Sequence, residues 1–81
     1  MYLFMCKSLT YAQRSARILE RKGISAFVMR SPRELSSGGC GYCVRVPEKH
    51  KGRALELLRA VELAPLRVFR VDPDGYTEVT E

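Results

Sequence analysis

Tyr2-Leu3-Phe4-Met5-Cys6 is the stretch on which the fold of this 81-residue chain turns. Alternate residues of an extended strand point to opposite sides. Tyr2, Phe4 and Cys6 therefore share one face, and Leu3 and Met5 share the other. A strand apolar on both faces has to be covered on both.

The chain after it reads as a helix. Thr10 is the expected N-cap, with Gln13 three residues on completing a capping box. Tyr11, Ala12, Ser15, Ile18 and Leu19 recur at the helical period and form one face, with Arg14, Arg17 and Arg21 opposite. Gly23 follows as the residue that stops the helix. Residues 26–30 read as a second strand, and residues 31–41 as a loop rich in Ser, Gly and Pro. Residues 42–46 form a third strand, with Tyr42, Val44 and Val46 on one face and Cys43 and Arg45 on the other.

Pro47 and Glu48 open a second helix, with proline early and an acid in the first turn. Its apolar face is Ala54, Leu55, Leu58 and Val61, and Pro65 lies just past its end. Residues 66–71 make a fourth strand. Asp72-Pro73-Asp74-Gly75 is a turn, and residues 72–81 are expected to add a short strand or remain a loose acidic tail.

The order β-α-β-β-α-β predicts one small α+β domain, a ferredoxin-like sandwich with two helices on one face of an antiparallel sheet of order 4-1-3-2. Helices cover only one face. The apolar second face predicts either a homodimer through the open sheet or cover from the C-terminal tail.

Composition narrows the function. No apolar run approaches the roughly 20 residues that span a bilayer, and the first strand is too short for a signal peptide. No membrane is expected, and the location expected is cytoplasmic. Three cysteines, an odd number, fit free thiols in a reducing compartment rather than a disulfide framework. Asp72, Asp74, Glu78 and Glu81 occupy the last ten residues. The first 71 residues carry 14 basic against 5 acidic side chains, a balance of +9. Such a body suits an acidic partner. Nucleic acid fits less well, because Tyr42 lacks the glycine-and-aromatic pattern of an RNA-binding strand.

The chemistry concentrates in Ser36-Ser37-Gly38-Gly39-Cys40-Gly41-Tyr42-Cys43. Glycines beside Cys40 remove bulk around its sulfur and let backbone N–H groups turn toward an anion. The expected topology brings the end of the first strand (Cys6), the start of the first helix (Lys7, Ser8, Thr10) and this loop to one edge. There the three cysteines could cluster, and the helix N-terminus with Lys7 and Arg33 would favour a thiolate. The bland alternative is a flexible loop with an incidental cysteine. Cys40-x-x-Cys43 enters a strand rather than a helix, which departs from the usual redox arrangement. A single CxxC lacks a second ligand pair for zinc, and His50 belongs to the far end of the sheet. Neither a metal nor a cofactor is expected.

From Ser31-Pro32-Arg33-Glu34-Leu35 through Ser36-Ser37 to Cys40-Gly41-Tyr42, the sequence resembles the selenium/sulfur carrier protein-like family. In that family a Pro-Arg-x-hydrophobic-Ser-Ser stretch leads to a Cys-Gly pair at the start of a strand. Ser8, Ala12, Leu19 and Gly23-Ile24 agree in spacing, and the likeness runs from Met1 to about Leu58. Leu9, Ala16 and Cys43 depart from the family's usual residues, and Gly38-Gly39 lengthens the loop.

The resemblance implies that Cys40 carries sulfur or selenium as a covalent intermediate, in a carrier rather than a free-standing enzyme. Pro32, Arg33, Ser36, Ser37, Gly38, Gly39 and Gly41 would frame it, Lys7 and Ser8 would lie nearby, and Cys43 would be a second thiol. It also implies a donor, such as a cysteine desulfurase or a selenium donor, and an acceptor protein. A dithiol switch pairing Cys40 with Cys43 or Cys6, and a non-enzymatic dimeric interaction module, are the alternatives that the residues leave open.

Overall fold

A computed structural model describes residues 1–35 and 41–79 of the chain. It contains β1 (Tyr2–Cys6), α1 (Leu9–Arg21), β2 (Phe27–Arg30), β3 (Tyr42–Val46), α2 (Lys51–Ala60), β4 (Arg67–Asp72) and β5 (Gly75–Val79). Single 3₁₀ turns precede β3 at Arg33–Leu35 and α2 at Glu48–His50. The fold is α+β, with one antiparallel sheet of five strands in the order β2-β3-β1-β4-β5. This differs from the four-stranded order expected. The C-terminal residues pair along β4 from Val68↔Val79 to Asp72↔Gly75, and so extend the sheet by one strand.

β1 lies at the centre. It pairs with β3 from Tyr2↔Val46 to Cys6↔Tyr42 on one side, and with β4 from Tyr2↔Arg70 to Met5↔Arg67 on the other. Its central residues Leu3, Phe4 and Met5 are all buried, as an apolar strand of both parities requires.

Phe4 enters the main core between sheet and helices, with Ala12, Ala16, Leu19, Ile24, Val44, Val46, Ala54, Leu55, Leu58 and Val68. Leu3 and Met5 enter a second, smaller cluster on the open face with Cys43 and Phe69. That cluster is roofed from within the chain, by Met29, by Leu35 from the 3₁₀ turn, and by Val71 and Tyr76. Arg67 stacks over Phe69 at 5.0 Å and makes two hydrogen bonds to Glu78. Arginine stems and a β5 tyrosine thus supply part of the cover the second face needs.

Several boundaries differ from the sequence reading, each for a local reason. The N-cap of α1 is Ser8, not Thr10: the Tyr11 amide donates to Ser8 Oγ at 3.4 Å. Tyr11 is correspondingly exposed, at the rim of the helix face rather than in it. Ala26 is buried but precedes the β2–β3 ladder, which starts at Phe27↔Arg45. Pro47 and Glu48 open a 3₁₀ turn before α2 proper. Val61 is the C-cap of α2 and points outward, so the buried face of α2 is Ala54, Leu55 and Leu58.

Both helices end in the same motif. Gly23 N–H donates to Glu20 O and Ile24 N–H to Leu19 O, while Glu62 N–H donates to Arg59 O and Leu63 N–H to Leu58 O. This pair of bonds demands a residue of positive φ just past the cap. Gly23 supplies it at φ 82°, but α2 places Glu62 there at φ 60°. A side chain in that region is strained by about 1–2 kcal/mol, and a glycine gives back roughly 0.4–1 through its freer unfolded chain. Glu62→Gly is therefore expected to stabilise the domain by up to about 1 kcal/mol. Gly23→Ala should destabilise it by a similar amount, both read from urea unfolding midpoints.

Candidate functional site

The β2–β3 connection leaves the sheet at Ser31 and returns at Gly41. Ser31 N–H donates to Gly41 O at 2.9 Å, continuing the ladder one step beyond Arg30↔Tyr42. Pro32 starts the next turn, where Leu35 N–H reaches Pro32 O at 3.0 Å. Pro32 is half-buried, Arg33 and Glu34 are exposed, and Leu35 leans onto the open-face cluster. Ser36, Ser37, Gly38, Gly39 and Cys40, all named as site residues from the sequence, lie outside the described residues.

Strand alternation sorts the groups at this edge. Cys43 pairs with Met5 and Met29 and projects to the open face. Cys6, one residue past Met5, projects to the helix face with Phe4 and Tyr2. The expected clustering of the cysteines fails for this pair, because the sheet lies between the two side chains. They cannot bond to each other without breaking register.

Each described thiol is held neutral. Cys6 is half-buried and donates to Phe4 O at 3.5 Å. Burial pushes its pKa up to about 11, helped by the Cys43 sulfur and opposed by the Ser15 hydroxyl. The thiol lines a small pocket of about 100 Å³ with Lys7, Tyr11, Ser15 and Leu63. Lys7 lies over the Tyr11 ring at 5.7 Å, and Ser8 is occupied in capping α1. Neither Lys7 nor the α1 N-terminus is among the groups that act on the Cys6 thiol, and Cys40, whose thiolate they were expected to favour, lies outside the described residues.

Cys43 has no exposed surface, and burial raises its pKa. The group that works against this is the Ser31 hydroxyl, which favours the Cys43 thiolate.

Ser31 is the residue that sequence reasoning passed over. It is 8 % exposed, and its Oγ has no hydrogen-bond partner. A Cβ at Gly41 would meet that oxygen at 3.1 Å. Serine inside a Ser/Pro/Gly-rich loop reads as turn chemistry, and only the ladder register reveals that it points inward beside a thiol.

Among the described residues no group of three or more His, Cys, Asp or Glu is placed to hold a metal ion, and no helix is long and apolar enough to cross a membrane.

Two measurements follow from this geometry. A thiol whose pKa is raised on folding stabilises the fold below its unfolded pKa, and that stability is lost as pH climbs through the folded value. Stability should therefore fall between about pH 9 and pH 11, where Cys6 moves from its ordinary value to about 11. Cys6→Ala should flatten that part of the pH–stability curve. Separately, Gly41→Ala should destabilise the domain by about 1 kcal/mol, with most of the loss recovered in Gly41→Ala/Ser31→Ala, as expected of two groups competing for one space.

No curated protein and no solved structure matches this chain. A protein family does: the chain matches the family described as "Putative Se/S carrier protein-like" over residues 1–70, which takes in both helices, the β2–β3 connection and β1 through most of β4. The chain belongs to that family.

Proposed function

We propose that this protein carries sulfur or selenium, accepting it on Cys40 as a persulfide or selenopersulfide and passing it to an acceptor protein. The observation that carries the reading is membership of a family so described, over a span that includes the Cys-Gly pair at positions 40 and 41.

The step is redox-neutral. A Cys40 thiolate attacks the outer sulfur of a donor persulfide, the donor's S–S bond breaks, and its thiolate leaves as the new S–S bond forms on Cys40. The acceptor repeats the same exchange. No general base or cofactor is needed, only an accessible thiolate and donors to hold the anion.

Arg33, exposed at the foot of the loop, is proposed to supply positive field, and Ser36, Ser37 and the Gly41 N–H are proposed to hydrogen-bond the sulfur. Of the described thiols, Cys6 and Cys43 are both held neutral by burial, and this leaves Cys40 as the residue for first contact with a donor. The donor proposed is a cysteine desulfurase or its selenium equivalent in the cytoplasm, docking through acidic groups onto a body of net charge +5. The scaffold proposed is a ferredoxin-like sandwich extended by β5. Exposed Phe27, at 61 %, is the side chain through which a homodimer on the open face would pack.

Mass spectrometry tests the reading. The reduced protein is incubated with a cysteine desulfurase and cysteine, and wild type is compared with Cys40→Ser. A gain of one sulfur atom on the Cys40 peptide, absent in the variant, is the expected result. Equal loading of Cys40→Ser would sink the carrier role of Cys40.

A further inference from the structure

The Ser31 hydroxyl has no acceptor in the resting fold. It is more than nine-tenths buried, makes no hydrogen bond, and is fixed by the Ser31–Gly41 ladder bond and by the close approach to Gly41. Burying an unsatisfied hydroxyl costs about 1–3 kcal/mol, and replacing it with an apolar group is neutral or stabilising. Ser31 therefore contributes nothing through that oxygen to the stability of the empty protein.

Cys43 is the thiol on which this hydroxyl acts. Ser31 and Cys43 fall on the same face by strand alternation, as Ser31 stands opposite Gly41, two residues before Cys43. Met29, Met5 and Leu35 close the remaining sides of that cluster. Thioether and aliphatic groups offer an anion nothing. Among the described residues, the Ser31 Oγ is the buried side-chain oxygen that makes no hydrogen bond, so its donor capacity is unspent. The arrangement is a buried sulfur beside a reserved donor, shielded from water.

We propose that Cys43 is a second sulfur-holding site, with Ser31 as the positioning residue that donates a hydrogen bond to its sulfur anion. The sulfur relays from Cys40 to Cys43. This rests on the carrier reading. In the relay, Cys43 loses its proton and its thiolate attacks the outer sulfur of the Cys40 persulfide. The Cys40–sulfur bond breaks, a Cys43–sulfur bond forms, and Cys40 leaves as a thiolate that takes up the released proton. Nothing is oxidised or reduced. Three residues of chain separate the two α carbons by at most about 10 Å. Cys6 is excluded from it by the sheet. Burial at Cys43 keeps the stored sulfur from solvent thiols, which would otherwise reduce it to sulfide.

Inorganic tetrasulfide serves as the probe, because it loads an accessible thiol whether or not a desulfurase is the natural donor. A failure of the relay is thereby separated from a failure of the donor assignment. Samples quenched over time with iodoacetamide and digested give one peptide holding both cysteines, and fragment ions place the added sulfur.

Sulfur is expected first on Cys40 and then on Cys43. Ser31→Ala should leave Cys40 loading unchanged and slow arrival at Cys43 about tenfold, the value in a rate of one hydrogen bond to an anion. Ser31→Thr, which keeps the hydroxyl, should restore it, and Cys43→Ser should leave the label on Cys40. The urea midpoint of Ser31→Ala should stay at or above wild type.

Four outcomes would overturn the proposal: sulfur that never leaves Cys40, equal labelling of Cys43 in Cys40→Ser, a Cys40–Cys43 disulfide with release of sulfide, or an arrival rate indifferent to Ser31→Ala.

Discussion

Burial of β1 on both faces is the constraint from which the rest of this small domain follows. All five residues pair with β3 and four of them also with β4, and each parity feeds a different hydrophobic cluster. Phe4, fully buried, anchors α1 and α2 to the sheet, while Leu3 and Met5 force the opposite face to find its own cover. A chain of 81 residues has little interior to divide. The second cluster is therefore thin, and is closed by what is near: a turn leucine, a β5 tyrosine, and arginine side chains laid across aromatic rings.

The same alternation governs the chemistry. Position along a strand decides which face a thiol sees, and one residue of difference puts Cys6 and Cys43 in separate environments. Cys6 sits against the helices beside a serine committed to the helix backbone, for Ser15 Oγ donates to Tyr11 O at 2.8 Å. Cys43 sits against thioethers and a serine with nothing to bind. Two thiols that look equivalent in the sequence thus differ in the property that matters for handling sulfur anions, the presence of an uncommitted donor.

Much of the fold was legible because its signals were local. Tyr2–Cys6 and Tyr42–Val46 stand where their apolar content and period place them, and the split of β3 into a Val44/Val46 face and a Cys43/Arg45 face needed only alternation. Helix edges were less legible. Ser8 and Thr10 are both good caps, and the choice between them falls to the register at which Ala12 and Leu19 meet the sheet, a tertiary matter. The turn after α2 gave no glycine to read, since Glu62 takes up the left-handed position under the pull of two backbone bonds. β5 was ambiguous because Tyr76–Val79 acquires its order from pairing with β4, not from its own pattern. In the site, the Cys-Gly pair stood out by composition. Ser31 did not, for its meaning depends on a ladder bond that no single residue announces.

A carrier has to satisfy opposed demands: a thiol open enough to meet a partner, and a bound sulfur hidden enough to survive until the next one. A single exposed cysteine meets the first demand at the expense of the second, since any solvent thiol that reaches the persulfide can reduce it. In a sheet, the residue that enters a strand from a loop and the residue three places further in occupy these two environments with no additional structure. Cys43 stands at the inner of these positions, fully buried in β3. Burial alone would disfavour the inner thiolate, as it does at Cys6. A donor without an acceptor, placed beside the inner thiol, is what distinguishes a storage position from a structural cysteine, and Ser31 occupies that place in this chain.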